Sequence, residues 1–353
     1  MKNYYITTGF MGSGSSAMTN LLCEFEGVEA PNSDFEYVFL HAPNGLFDLE
    51  DKLLIGNNAL RSDEAIHSFY DYMNDLYYKK HYWVSDYKNK VSKSFMEYVD
   101  EFIYSLNPIK LKGKNAFWYY TENPDWIMMM KKVFRKMIAL LTFNRIVIQQ
   151  PLKYQGMILA YPTSEEFYGA AKKFVYQIME EIKSDKQTIV LDQFLLPHNL
   201  QRLDSYFSDD VIVVLVDRDP RDIYLSNKYY WISKNISIPV PTDVKGFCYQ
   251  YRRMRESICN TNKNKVVRVQ FEDLIYDYEN TLKRIYRDLN LSTELHIDKG
   301  KYFNPKVSIV NTNLQRKSTA FIREAESIAE ELSDYLYRFP EDYQYNDKLE
   351  EVF

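Results

Sequence analysis

The sequence predicts an α/β protein with a mostly parallel, doubly wound sheet of the P-loop NTPase-like type. Short β-branched runs alternate with helical patterns, which favours parallel strands joined by crossover helices. The clearest run, Val211–Val216, is typical of a central strand covered on both faces. A glycine-rich turn follows the first strand pattern, and ligands of such sheets bind at the carboxyl ends of the strands. We therefore expect a binding site at that edge.

The elements follow in order along a single predicted domain of residues 1–353. A strand at Tyr4–Thr8 leads through the turn into a helix that begins near Ser15. Residues 27–150 lack strand alternation and are predicted to be a mainly helical insertion, either one wall of an acceptor site or a packing extension. Its clearest helical patterns are Asp63–Tyr78 and Val91–Leu106. Strands are then predicted at Arg145–Gln149, Thr188–Asp192, Val211–Val216 and Lys265–Gln270, and helices at Ser164–Ile182, Tyr278–Leu289 and Ala320–Leu336.

Composition excludes several classes of protein. The 353 residues carry a net charge of −5, which argues against a general nucleic-acid binder. Three cysteines without a C-x-x-C pair indicate neither a disulfide framework nor a zinc site. The most apolar window, around Trp126–Leu141, is interrupted by a basic run at Lys131–Lys136, so no membrane span is predicted. The N-terminus lacks an apolar secretion signal. We expect a cytoplasmic protein, with its oligomeric state open.

The turn after the first strand is predicted to bind phosphate. It nearly matches the P-loop pattern G-x-x-x-x-G-K-[ST], with Gly9 and Gly14 correctly spaced and Ser15 in the position of the lysine. Gly12 allows a sharp turn, and the hydroxyls of Ser13 and nearby Ser16 add donors. Without the lysine, the loop is poorly suited to phosphoryl transfer from a nucleoside triphosphate. The alternative is an ordinary strand–turn–helix junction.

Charged residues follow two later strands. Asp192 ends the strand Thr188–Asp192, and Arg218 begins an RDPRD segment directly after Val211–Val216. The guanidinium of Arg218 and the hydroxyl of Ser226, eight residues on, can face one anion. The alternative is a self-paired helix start in which an acid of the segment complements the helix dipole. Two anion sites at neighbouring strand ends fit a nucleotide with separate 5′ and 3′ charges.

Together these segments resemble the sulfotransferases that use 3′-phosphoadenosine 5′-phosphosulfate. The loop Gly9–Ser16 is similar to that family's G-x-x-[RK]-S-G-[ST]-[ST], and Arg218–Ser226 matches its R-D-P-R-D-x-x-x-S. The stretch Val267–Leu291 looks like the Y-E-D-L segment and the helix that follows, with Phe271 in place of the tyrosine.

The resemblance implies roles for these residues. The loop would bind the 5′-phosphosulfate through Gly9, Gly12, Ser13, Gly14, Ser15 and Ser16. Arg218 and Ser226 would bind the 3′-phosphate, together with Arg316 and Lys317, which resemble the family's Arg-Lys-Gly segment. Asp192 is the first choice for the general base and His198 the second, while His41, His67, His81 and His296 are interpreted as structural.

Family loops carry a lysine or arginine where this chain has Gly12. Lys153 and Arg145 are therefore candidates for the missing cation. Sulfuryl transfer requires no metal, and no metal-ligand pattern is present in the sequence.

The resemblance implies transfer of a sulfuryl group to an acceptor hydroxyl. A bacterial protein acting on a carbohydrate or a glycolipid is the leading expectation, because aromatic residues of the insertion, such as Trp83, Trp118 and Trp126, suit stacking on a sugar ring. A hydrophobic alcohol or phenol is the second acceptor class. The rival functions are a P-loop small-molecule kinase and a protein of this fold that binds the nucleotide without turnover.

Overall fold

The computed structural model describes residues 3–10, 12–31, 35–81, 83–112, 114–115, 126–146, 148, 153–154, 156–182, 184–232, 234, 239–258 and 265–341. The chain divides into two compact units. The first comprises Met1–His41, Lys80–Asp86 and Met179–Phe353, and the second comprises Ala42–Lys79 and Tyr87–Ile178.

Strands and helices alternate most regularly in the first unit, while the second is mainly helical. The strands are β1 (Asn3–Gly9), β2 (Val28–Glu29), β3 (Ile109–Leu111), β4 (Lys114–Asn115), β5 (Lys153–Tyr154), β6 (Met157–Leu159), β7 (Thr188–Asp192), β8 (Val211–Asp217) and β9 (Val266–Gln270). The α-helices are α1 (Ser15–Leu22), α2 (Leu46–Leu54), α3 (Ala59–Tyr78), α4 (Tyr87–Lys90), α5 (Phe95–Ser105), α6 (Trp126–Leu141), α7 (Ser164–Glu181), α8 (Leu203–Tyr206), α9 (Pro220–Leu225), α10 (Val244–Glu256), α11 (Asp273–Tyr276), α12 (Tyr278–Asp288), α13 (Pro305–Ser308) and α14 (Thr319–Glu331). A π-helix at Ser226–Trp231 continues α9, and 3-10 turns lie at Pro197–Arg202, Thr293–Leu295, Ile309–Asn311, Leu314–Lys317 and Ser333–Tyr335.

The first unit contains a parallel sheet of five strands in the order β2-β7-β1-β8-β9. This confirms the predicted doubly wound fold. The central strand β1 places Ile6 beside Leu191 of β7 and Val213 of β8, and all three are fully buried. Because all the strands are parallel, the loop after Gly9 and the end of β7 at Asp192 lie at one edge.

One apolar core holds this edge in place. Met18, Leu21 and Leu22 of α1 are fully buried against Val214 and Val216 of β8. Burying one such side chain contributes about 1.5–3 kcal/mol before entropy is counted. The helix that follows the loop is therefore held firmly against the sheet.

The second unit contains two small antiparallel pairs, β3 with β6 and β4 with β5. Its main contacts among helices join α3 to α2 and α5. The helical patterns predicted at Asp63–Tyr78 and Val91–Leu106 correspond to α3 and α5. The two-residue strands and β3, at 109–111, are too short for the alternation test to detect.

Two predicted elements differ from the structure. The strand predicted at Arg145–Gln149 is wrong at its described positions, because Arg145, Ile146 and Ile148 have no strand conformation. Ile146 is 55% exposed and Ile148 is 39% exposed, so these two β-branched residues lack the burial that such a strand needs. The last helix ends at Glu331 and not at Leu336, since a 3-10 turn begins at Ser333.

Across the described parts of the chain, every helix is too short or too polar to cross a lipid bilayer.

Candidate active site

The loop between β1 and α1 is shaped by its glycines. Gly12 and Gly14 have φ values of 82° and 93°, which side-chain-bearing residues rarely adopt. A Cβ atom at Gly14 would stand 2.6 Å from the ring of Phe271, and one at Gly9 would overlap the hydroxyl of Ser13. The backbone N–H of Ser13 donates to the carbonyl of Phe10 at 2.8 Å. The loop is therefore a tight turn that no larger residue could form at Gly9 or Gly14.

The serines of the loop face different partners. Ser16 donates to Asp192 at 3.1 Å, and the hydroxyl of Ser15 accepts from Gln193 at 2.8 Å. The hydroxyl of Ser13 is buried and has no hydrogen-bond partner within the described structure. An unpaired buried hydroxyl is costly, so this atom is available to a ligand.

Arg218 joins the loop to the end of β8. Its guanidinium donates to the carbonyl of Gly12 at 2.6 Å, to the hydroxyl of Ser226 at 3.3 Å and to the carbonyl of Asn311. The ring of Phe271 lies 5.2 Å from the guanidinium carbon. Arg218 is only 7% exposed, and its Nε atom is buried without a partner in the described chain. The structure thus brings the two predicted anion-binding segments into direct contact.

The two arginines of the RDPRD segment have separate roles. Arg221 pairs with the buried carboxylate of Asp219 at 2.6 Å and donates to the carbonyl of Tyr337 at 2.9 Å. Asp219 also caps α9 by accepting from the N–H of Arg221 at 2.8 Å. The alternative interpretation of the segment, a self-paired helix start, therefore applies to Arg221, whereas Arg218 lines the cleft.

Two further carboxyl groups lie behind Arg218. Asp222 accepts from the backbone N–H groups of Asn313 and Leu314 at 2.7 and 2.8 Å, and Glu272 accepts from that of Asp219 at 2.8 Å. Burial, and then the charges of neighbouring acids, raise the pKa of Asp222 to about 6 and that of Glu272 to about 8. Arg218 acts in the opposite direction on both pKa values.

These raised pKa values predict a pH-dependent stability. In the folded state the pKa of Glu272 lies above its ordinary 4.5, so its stabilisation is fully present below pH 4.5 and is lost as pH rises through about 8. The free energy of unfolding of the wild type is expected to fall by on the order of 5 kcal/mol across this window, and replacing Glu272 with Gln should remove that decrease. Chemical denaturation of both proteins at several pH values measures it. The exposed Glu279→Gln is the matched control, and parallel pH profiles for wild type and Glu272→Gln would refute the assignment.

Asp192 lies at the end of β7, beside the loop. It accepts from Thr7 at 3.2 Å and from Ser16 at 3.1 Å. Burial raises its pKa, although these hydrogen bonds act to lower it. A carboxylate with a raised pKa is a stronger base. His198 lines the same cleft, where its ring packs edge-on against Phe10 at 5.3 Å, and burial lowers its pKa.

Two titratable residues that the sequence analysis did not select also line this cleft. Burial raises the pKa of Glu36, and the charge of Asp192 raises it further. Burial, and then His198, lowers the pKa of His41 to about 4. Neither residue lies in a motif, and the segment around them has no regular periodicity. Nothing in the sequence pattern indicated that they would reach the site.

The π-helix supplies polar groups that were also missed. Asn227 is 1% exposed, and neither of its amide atoms has a partner among the described residues. These atoms lie 3.5 Å from the position that a Cβ atom of Gly12 would take. The amide therefore occupies space next to the position of the family's missing cation. π-Helical turns are frequent at functional sites.

Arg145 and Lys153, the two candidates for the cation missing at Gly12, are not among the described residues that line the cleft. Arg145 is exposed in the second unit, and the side chain of Lys153 lies outside the described residues. The cations that do line the cleft, as far as the structure describes it, are Arg218 and Lys234. Lys234 donates to the hydroxyl of Tyr230 at 3.0 Å.

The predicted pair Arg316 and Lys317 is exposed at the end of a 3-10 turn and does not line the cleft. The preceding segment lines it instead, through Ser308 and Asn311. Burial and the charge of Arg316 lower the pKa of Lys317.

The cleft has a volume of about 1500 Å³. Aromatic residues on its wall include Tyr230 and Trp231, which follow Ser226 in the π-helix. Of the insertion aromatics named from the sequence, Trp118 lies outside the described residues, while Trp83 and Trp126 are exposed and do not line this cleft. No group of three or more metal-binding side chains occurs within the described ranges.

Comparisons with known proteins point to one family. A family model described as the sulfotransferase family matches residues 6–294. Solved structures with similar architecture include a sulfotransferase, STF9, from Mycobacterium avium, with 12% identity and a TM-score of 0.37 over 95% of this chain and 76% of that one. A sulfotransferase domain of the curacin biosynthetic pathway has 11% identity and a TM-score of 0.38 over 96% and 99%. Retinol dehydratase in complex with androsterone and the inactive cofactor PAP has 12% identity and a TM-score of 0.32 over 96% and 82%.

No curated protein matches the sequence significantly. The family model, and not these distant structural likenesses, carries the assignment of family.

Proposed function

Because the chain belongs to the sulfotransferase family, we propose that it transfers a sulfuryl group from 3′-phosphoadenosine 5′-phosphosulfate to a hydroxyl of a carbohydrate or a glycolipid. The observation that carries this proposal is the contact between the Arg218 guanidinium and the loop carbonyl of Gly12. It joins two anion-binding segments into one site. The resemblance of the Gly9–Ser16 and Arg218–Ser226 segments to the family's patterns supports the same donor.

The residues present fit such a donor. Three buried side chains line the cleft with polar atoms that the described structure leaves unpaired, those of Ser13, Arg218 and Asn227. The guanidinium of Arg218 carries donors only, and Ser13 and Asn227 each carry a donor as well as an acceptor, so all three can donate to phosphate or sulfate oxygens. We assign the 5′ end of the donor to the loop and its 3′-phosphate to Arg218 and Ser226.

The residues around the loop then have defined chemical tasks. When bound, the donor supplies the sulfuryl group, so that a bond forms from the acceptor oxygen to sulfur while the sulfur–oxygen bond to the 5′-phosphate breaks. Asp192 takes the proton of the acceptor hydroxyl, with His198 as the second choice. The hydroxyl of Ser13 and the backbone N–H groups of the loop hold the oxygens that gain charge. Lys234 is the cation that we propose for the place left by Gly12.

The acceptor class is proposed from the cleft wall. Tyr230 and Trp231 line the same cleft as the polar loop, and aromatic rings suit the apolar faces of a sugar. Bacterial origin, cytoplasmic location and a role of residues 27–150 in acceptor binding are further parts of the proposal.

A paired measurement tests the proposed function. Calorimetry is expected to show binding of 3′,5′-bisphosphoadenosine without magnesium and much weaker binding of Mg-ATP. Incubation with radiolabelled donor is then expected to label saccharide or glycolipid acceptors in preference to phenols. Tight binding of Mg-ATP alone would favour a kinase. Nucleotide binding without transfer to any acceptor of a broad panel would favour a protein without turnover.

Asn227 offers a prediction that separates ligand binding from folding. A buried, unpaired amide costs about 1–3 kcal/mol, so Asn227→Leu is expected to raise the free energy of unfolding of the nucleotide-free protein. The same change should weaken 3′,5′-bisphosphoadenosine about tenfold, since one hydrogen bond is lost. Thermal denaturation and calorimetry measure the two effects.

The control for Asn227 is Asn280→Leu, which changes an exposed amide of α12 that bonds only locally to Asp277. It should alter affinity very little. A less stable Asn227→Leu protein with unchanged affinity would instead assign the amide a purely structural role.

A further inference from the structure

Helix α6, Trp126–Leu141, carries a continuous apolar face that is exposed. Eight large apolar side chains recur at spacings of three and four, which places them on one side of the helix. Each is between 50% and 76% exposed. A face of this size is unusual on the surface of a protein and marks a site of interaction. These side chains are Trp126, Met129, Met130, Val133, Phe134, Met137, Leu140 and Leu141.

The rest of α6 contains four basic residues. Lys131, Lys132, Arg135 and Lys136 lie on the remaining arc of the helix. From Trp126 to Ser164 the sequence contains no Asp or Glu, although the chain as a whole carries a net charge of −5. The basic residues of α6 are therefore concentrated beside its apolar face.

We propose that α6 lies on the surface of an anionic lipid membrane, parallel to it. Its apolar face would enter the boundary between head groups and acyl chains, and its basic flanks would contact lipid phosphates. Basic amphipathic helices with tryptophan, phenylalanine and leucine on the apolar side bind membranes in this way. Each lysine or arginine near such a surface adds about 1 kcal/mol. The proposal goes beyond sulfuryl transfer and does not depend on it.

The basic residues of α6 favour an anionic lipid surface, rather than a second copy of this chain, as the partner of the apolar face. Two α6 helices packed face to face would bring two sets of basic flanks together, and like charges at an interface are unfavourable. An anionic bilayer complements the same charges. Trp126, which is 72% exposed at the start of the helix, is suited to the interfacial zone.

Vesicle sedimentation tests the proposal on the full chain. We expect the protein to sediment with vesicles of phosphatidylcholine mixed with phosphatidylglycerol, and much less with pure phosphatidylcholine. Because part of the attraction is electrostatic, added salt should weaken it. The tryptophan fluorescence should shift to the blue on binding, and Trp126→Phe should abolish that shift.

Two pairs of variants locate the contact. Phe134→Ser with Leu140→Ser is expected to weaken vesicle binding at least about tenfold. Lys131→Gln with Lys136→Gln should weaken binding to anionic vesicles by about tenfold or more. Exposed residues elsewhere provide matched controls: Tyr104→Ser for the apolar pair, and Lys245→Gln with Lys283→Gln for the basic pair.

Each outcome decides the proposal. Vesicle binding that is lost in both pairs but kept in the controls supports it. Absence of binding to anionic vesicles overturns it, as does binding that both pairs leave unchanged. A third outcome is that the protein self-associates but does not bind vesicles. If Phe134→Ser with Leu140→Ser then abolishes the self-association, the apolar face contacts a second copy of the chain. None of these readouts uses sulfuryl transfer, so the proposed function can fail or stand separately.

Discussion

Replacing Arg218 with Ala is expected to weaken the binding of 3′,5′-bisphosphoadenosine by about a hundredfold or more. The guanidinium is buried beside the loop and Ser226, and its Nε–H is left without a partner, so a phosphate placed there would gain a charge-assisted hydrogen bond. Lysine keeps the charge but not the fork, so Arg218→Lys should recover only part of the affinity. Isothermal titration calorimetry of the three proteins measures the series.

Arg221 is the matched control for Arg218, because it belongs to the same RDPRD segment but pairs with Asp219. Breaking this buried pair leaves the carboxylate of Asp219 uncompensated and should lower the free energy of unfolding by about 3 kcal/mol. The affinity of the folded protein should change little. If Arg221→Ala reduced affinity more than Arg218→Ala, the division of roles within the segment would be wrong.

Replacing Asp192 with Asn is expected to reduce kcat by about a hundredfold or more while leaving nucleotide affinity largely intact. A general base contributes about that much, and Asn has nearly the same shape as Asp. Burial raises the pKa of Asp192 above its ordinary 3.8, and the base must be unprotonated to act. The kcat of the wild type should therefore fall as pH drops through this raised pKa.

Steady-state kinetics across pH distinguishes the candidates for the base. The decrease of kcat at low pH should be absent from the residual activity of Asp192→Asn. It should persist in His198→Gln and His41→Gln. Turnover of Asp192→Asn equal to that of the wild type would exclude this carboxylate as the base. It would then draw attention to Glu36, whose pKa Asp192 itself raises.

The sheet and its loop were predictable because their signals are local. A β-branched run such as Val211–Val216 specifies a buried strand with little help from the rest of the chain. Gly9 and Gly14 mark a turn that nearby atoms allow no other residue to form. The family expected from these segments is confirmed by the match over residues 6–294. The short run Arg145–Gln149 has a similar composition, but its described residues Ile146 and Ile148 are exposed, which composition alone does not reveal.

The rest of the site depends on contacts between distant segments. Sequence patterns could not separate Arg218 from Arg221, because only tertiary structure decides which guanidinium meets a carboxylate. Asn227 lines the cleft from within a π-helix, whose side-chain spacing differs from that of an α-helix, and Lys234 lines it from just beyond the end of that helix. The predicted roles of Asp192, His198, Arg316 and Lys317 stay predictions.

The ring of Phe271 has a consequence for how the protein could evolve. It fills the space where a side chain at Gly14 would stand, and it also lies against the guanidinium of Arg218. A smaller residue at 271 would loosen the loop and the arginine together, so a single substitution there would affect both of the proposed anion-binding segments. Because both the loop and the Arg218 side chain pack on this ring, ordering one of them lowers the conformational entropy cost of ordering the other.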